Sequence, residues 1–373
     1  MKLKISHFPG YKTLWLLSLG ALVFYASSCD PDDDDVDDNP QTDSFDVTQL
    51  LAAYESTIIQ PNIDALVAAA EELDNSVSLL QSNPSENALA DAQSNWRALA
   101  LAYSGCQSFN FGPGESTFGS FAENIATFPV SVEKITGYID AEDFTLNNFD
   151  RDTRGVYGLD YLLFQQNALS DLSNANYAAY TSTVASDVLE QAQELEEGWS
   201  SYGQEFATDA GTEVSSGITE LYNAWIKGFE VVKNFKVGIP AGLRVGQTEP
   251  DPTQVAGLYS GTSRELVRNH LEHIEVMYFG DLLDADANAI GFDDYLLTTV
   301  GGAEVLDQTK EQWQVIWSAY NDLPNQPLDD LVVNETDKVE TLYTALSQHT
   351  RFFKSELSSR LGLTITFDSG DGD

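Results

Sequence analysis

RGVYGLDYLLF, residues 154–164, sets an acid into an oily helix. At about 100° per residue, Val156, Leu159 and Leu163 fall on one face and Asp160 falls among them. An ionised carboxylate buried without a partner is costly. The spacing therefore predicts a helix whose Asp160 is paired, protonated or bound to a ligand. Arg154, Arg151 or Arg97 would supply the pairing in a purely structural reading. Tyr157 stands one turn before Asp160, so the two side chains converge. Phenolate and carboxylate oxygens are hard donors that suit hard cations, which is the ligand-site reading.

The helical period continues outward from this segment. Residues 61–82 and 85–108 are two amphipathic stretches parted by Asn83-Pro84, and 174–202, 210–235, 262–280, 302–321 and 336–360 follow with the same spacing. Only LTITF, 363–367, alternates like a strand. The expected fold is all-α, built from packed apolar stripes, and the length suits two tandem helical bundles or one large double domain. A glycine-rich polar stretch near 203–212 is the expected seam, with bundle one about 46–203 and bundle two about 204–373. A weak repeat crosses it. NWRALALAYSGCQSFNFGP (95–113) is echoed by AWIKGFEVVKNFKVGIP (224–240), and RGVYGLDYLLF by NHLEHIEVMYF (269–279). In that register Tyr157 pairs with Glu272 and Asp160 with Glu275. The long segment from Phe111 to Pro129, with Phe118, Phe121 and Phe128, is expected to be a loop covering a bundle end.

The N-terminus reads as a targeting segment. Lys2, Lys4 and Lys12 precede an apolar core from Leu14 to Tyr25, too short for a membrane span. Ala26-Ser27-Ser28 then leads into Cys29, the pattern of a bacterial lipoprotein signal over residues 1–28, with Cys29 as the lipidated residue. Seven aspartates within 30–38 make the stretch 29–45 an acidic, disordered tether to the domain at 46–373. The whole chain carries a net charge of −41, and loss of the three leader lysines makes it more negative still. Such a surface excludes nucleic acid and anionic headgroups as partners. Cys106, the second of two cysteines, is left without a partner and reads as a small buried hydrophobe.

RGVYGLDYLLF resembles the signature helix of the imelysin-like family, Gly-x-His-x-x-Glu followed by a hydrophobic run. Gly155 keeps the glycine, Tyr157 stands at the histidine position and Asp160 at the glutamate position. NWRALALAYSGCQSFNFGP (95–113), KVGIPAGLR (236–244), IGFDDYLL (290–297) and LGLTITFDSGDGD (361–373) resemble further family segments in the family's order. The resemblance spans about residues 46–373. It implies a bacterial envelope protein of a group that is often iron-regulated and in part described as peptidases. It also implies two duplicated helical bundles with the site between them.

HLEHIE, 270–275, offers the facing polar groups. On this helix Val267, Leu271, Ile274 and Tyr278 form the core face, His270 and Glu275 flank it, and Glu272 and His273 point further out. The expected site takes Glu275, with Glu272 or His270, opposite Tyr157 and Asp160, with Arg97 and Arg154 as charge partners. Its ligand would be a metal ion, iron first, or a metal-containing molecule. The plain alternative is a polar helix face with an Arg268–Glu272 pair. A zinc-peptidase reading lacks a His-Glu-x-x-His helix and the motif histidine. Phosphate loops, nucleophile elbows and dinucleotide fingerprints are missing from the sequence. DSGDGD (368–373) alternates acids like a calcium loop but lacks the closing glutamate, and reads as a solvated tail.

Three functions follow as expectations. The first is a lipid-anchored outer-membrane protein, facing periplasm or cell surface, that binds a metal and works with envelope transport proteins. The second is an envelope metallopeptidase. The third is a surface interaction module whose old site is filled by a salt bridge.

Overall fold

The computed structural model describes residues 45–116, 119–281 and 289–366. The leader, Cys29, the acidic stretch up to Ser44, Phe118 and the tail at 368–373 lie outside the described residues. The described residues are 73% helical, as the periodicity predicts.

The first half begins with α1 (Val47–Tyr54), which passes through a π turn at Glu55–Ile59 into α2 (Gln60–Ser82). Ile63, Leu66, Ala70, Leu73, Val77 and Leu80 recur every three or four residues along α2 and are all buried. Asn83-Pro84 stops it, and the Ser85 hydroxyl accepts the Ala88 N–H to start α3 (Glu86–Cys106). Next come α4 (Phe121–Ala126), α5 (Val132–Asp140), α6 (Gly155–Phe164), α7 (Ala168–Asp171) and the long α8 (Ala175–Thr208). Helix α2 packs on both α3 and α8, and α6 lies against α3 and α8.

The second half holds α9 (Gly217–Glu230), running into a π segment at Val231–Gly238, then α10 (Ser263–Phe279), α11 (Phe292–Leu297) and α12 (Gly302–Asn321). It closes with α13 (Leu328–Asn334), α14 (Thr336–Arg351), a π segment at Phe352–Leu357 and α15 (Ser358–Leu361). Its core is aromatic. Trp225 stacks on Phe292 with ring centroids 5.3 Å apart, and Phe353 closes the other side at 4.4 Å.

Residues 43–373 form one compact unit, within which the two halves interlock. The Tyr54 hydroxyl donates to the Met277 carbonyl at 2.6 Å, α3 packs on α10, and α1 reaches α9. A correspondence runs through both halves. The Trp96 indole donates to the Val156 carbonyl of α6 at 2.7 Å, and the Trp225 indole donates to the Ile274 carbonyl of α10 at 3.1 Å.

The bound at 203 lies inside α8, which runs to Thr208 and ends within the glycine-rich stretch 203–212. Two expectations need correction. The segment from Phe111 to Pro129 is not a plain loop. It holds a short 3-10 turn, a two-residue antiparallel ribbon (Glu115–Ser116 with Gly119–Ser120) and α4, which Ser120 and Glu123 start as a capping box. Its described aromatics do cover the bundle, Phe111 against Trp199 and Phe121 against Tyr103. Finally, residues 363–366 pair with no strand among the described residues. The Asn223 carboxamide instead bonds the Thr364 carbonyl at 2.9 Å and the Thr366 N–H at 2.8 Å.

Candidate functional site

Helix α6 is buried on nearly every side, more deeply than a single oily face requires. It begins at Gly155, whose φ is +74°. A Cβ there would lie 2.2 Å from the Ile125 carbonyl oxygen, so only glycine lets α6 start against the end of α4. That contact sets the chain just after α4, where Phe128 meets the Tyr157 ring edge-on with centroids 5.2 Å apart.

Asp160 is 2% exposed and carries no arginine ion pair. Its two oxygens accept the backbone N–H groups of Tyr259 and Ser260, each at 2.9 Å. These consecutive amides sit in the turn before α10, between Gly257 and Gly261, both at positive φ. Adjacent amides aimed at one point form an anion cradle, so a first-half carboxylate is seated in a second-half turn. Burial pushes Asp160 up to about 6, against the downward pull of the Ser260 and Tyr259 hydrogen bonds and the Arg97 charge. At neutral pH it is mainly a carboxylate held in fixed orientation.

Beside it, the Tyr157 hydroxyl is buried and bonds to no protein group. Burial, with Tyr103 and Asp160 nearby, holds this phenol well above its ordinary range, so it keeps its proton. Tyr157 and Asp160 line a cavity of about 320 Å³. Its first-half wall is Phe128, Pro129 and Val130, and its second-half wall runs from Thr253 to Tyr259. An unused buried donor next to an oriented carboxylate can hold a polar ligand group.

The remaining candidates lie elsewhere. Arg154 turns to Asp187 at 3.3 Å and to Asn124 and Asn148, and Arg97 sits over the Phe164 ring. Neither forms an ion pair with Asp160, which corrects the structural pairing, although the Arg97 charge is felt there. Glu275 accepts the Trp317 indole N–H at 3.1 Å, about 18 Å farther along α10 than its first turn. It lines neither this cavity nor the larger one beside it. Glu272 pairs with Arg268 at 2.9 Å on the surface, as the plain alternative predicts. The expected confrontation of Asp160 with Glu275 and Glu272 is therefore corrected, because α6 meets the turn ahead of α10 rather than its middle.

His270 is fully buried with neither ring nitrogen hydrogen-bonded. It faces α3 and α9, near Ser108 and Gly228. Burial, with the Lys236 and His273 charges, keeps it well below its ordinary range. Lys236 is itself buried, bonded to the Gln107 side chain at 2.8 Å, and burial lowers it to about 7. This is a sealed, largely uncharged seam between the halves.

Sequence reasoning took Phe128 only as a cover for a bundle end and did not find Tyr103 or the Tyr259–Ser260 amides. The glycine-flanked turn LYSG before a helix was the only available signal for the amides. Among the described residues, no three His, Cys, Asp or Glu side chains converge as a metal cage. Tyr157 and Asp160 supply two hard oxygens, too few to enclose a bare ion.

The fold is all-helical, and Tyr157 and Asp160 share a cavity whose lining comes from both halves. A family model described as imelysin matches residues 59–352, and the chain belongs to the imelysin family. Comparison with curated proteins finds no match. Two solved structures share the fold. A putative iron-regulated protein A precursor from Parabacteroides distasonis ATCC 8503 superposes with a TM-score of 0.72 at 17% identity, covering 84% of this chain and 95% of that one. An imelysin-like protein from Psychrobacter arcticum 273-4 gives a TM-score of 0.67 at 20% identity, covering 86% and 97%.

Proposed function

We propose that this chain is an imelysin-type bacterial envelope protein that binds a metal-containing ligand, iron first, in the cleft beside Tyr157 and Asp160. One observation carries the reading: Tyr157, whose buried hydroxyl has no protein partner, and the oriented carboxylate Asp160 line the same cavity. The family membership and the Parabacteroides neighbour, named a putative iron-regulated protein, support iron as cargo. Two protein oxygens do not enclose an ion, so the cargo arrives with most of its own ligands. The Tyr157 hydroxyl donates to a ligand oxygen, and Asp160 accepts from ligand or ligand-bound water through lone pairs its backbone bonds leave open. The lipoprotein signal supports an anchor through Cys29 at the outer membrane, where transport proteins would receive the cargo.

Calorimetric titration with ferric citrate, ferrous, zinc and calcium ions tests the reading. Saturable binding of the ferric chelate is expected, weakened at least about tenfold in Tyr157→Phe and Asp160→Asn, the loss of one or two ligand hydrogen bonds. Unchanged binding in both variants removes this site. Chelator-sensitive cleavage of an unfolded protein, abolished in Asp160→Asn, would replace binding with the peptidase reading.

A further inference from the structure

Phe128 lines two cavities. Pro129 and Val130 continue along the smaller one, with Tyr157 and Asp160, while Thr127 and Ala126 continue along a second cavity of about 660 Å³. The larger cavity lies between the 107–128 region of the first half and α9 with its π segment in the second. The C-terminal extended segment, pinned by Asn223, forms part of its wall. Its apolar lining comes from Tyr103, Phe111, Phe128, Ile226, Phe235 and Ile365. Tyr103 ties it to the smaller cavity, since it lies close enough to Tyr157 for the two phenols to influence each other.

The two volumes suit different parts of one molecule. About 320 Å³ is at the lower end for a ligand site and holds a compact polar head, whereas about 660 Å³ suits a drug-sized apolar body. The aromatic rings offer stacking faces to such a body. Glu115 and Glu220, one from each side of the cavity, disfavour an anionic one, and burial with Glu115 nearby already holds Glu220 above its ordinary range. We infer that the larger cavity receives the uncharged aromatic body of the ligand whose polar head meets Tyr157 and Asp160. A metal chelate with aryl arms is then held more tightly than a small hydrated complex. This rests on the binding role proposed above for the smaller cavity.

A matched pair of probes isolates the body from the head. Iron(III) tris(acetohydroxamate) and iron(III) tris(benzohydroxamate) share one iron–hydroxamate head and differ only in methyl against phenyl. Both are titrated into the full chain by calorimetry. The benzohydroxamate complex is expected to bind about tenfold or more tighter, as burial of extra apolar surface requires. That preference should shrink to about twofold in Phe235→Ala. Phe235 is 40% exposed, so its truncation leaves the fold intact. Ile365→Ala, in the C-terminal segment that lines the same cavity, repeats the check. Equal affinity for the two complexes in the wild type overturns the inference and leaves the Tyr157–Asp160 site standing. A preference that survives unchanged in both variants also overturns it. Binding of neither complex overturns the inference, while the ferric citrate titration decides the binding role separately.

Discussion

Tyr157 carries a hydroxyl that the fold does not use. A buried donor left unsatisfied costs on the order of 1–3 kcal/mol, so Tyr157→Phe should unfold at the same temperature as the wild type or higher. Differential scanning calorimetry checks this, and a clear loss of stability would mean that the hydroxyl has a structural partner. Asp160 behaves differently because its folded value, about 6, lies above the ordinary 3.8. Its contribution is fully present below about pH 3.8 and is lost as pH rises through 6. The wild type should therefore lose up to about 2–3 kcal/mol relative to Asp160→Asn between pH 4 and 7, read from urea melts at each pH. Burial of Asp160 was legible from Val156, Leu159 and Leu163 around it. Its partners were not, because two backbone amides about a hundred residues away leave no side-chain signature.

At the scale of elements, the long helices were readable to within a few residues because their buried stripes keep the helical period. The face of α10 was readable too, with His270 and Glu275 at its buried edge and Glu272 pairing outward. What the period does not encode is where one helix crosses another, so Glu275 was matched to Asp160 although α6 meets the preceding turn. The start of α6 depends on Gly155. Gly155→Ala forces a Cβ onto the Ile125 carbonyl at positive φ and should cost about 2 kcal/mol or more, with Phe128 displaced and ligand affinity reduced. The π segment after α9 places Lys236 in the seam, held at about 7 against an ordinary 10.5. Unfolded chains bind the extra proton in that interval, so stability rises with pH from about 7 to 10.5. Lys236→Met should abolish that rise and be about 1–3 kcal/mol more stable at pH 7, by the same melts.

For the whole molecule, the Tyr54–Met277 hydrogen bond and the α3–α10 contact join the halves into one unit. Calorimetry should give a single unfolding transition, which Tyr54→Phe lowers by about 1 kcal/mol without splitting. The all-α class and the family were legible from RGVYGLDYLLF and the segments around it. The cleft was not, since its walls come from Phe128, the turn at 253–259 and the C-terminal segment, none of which shares a period or motif. The account turns on whether that cleft holds a ligand through the unused phenol. Calorimetric titration of wild type and Tyr157→Phe with ferric citrate tests this most directly. The account predicts saturable binding by the wild type and at least about a tenfold weaker affinity in the equally stable variant. Identical isotherms from the two proteins would contradict it.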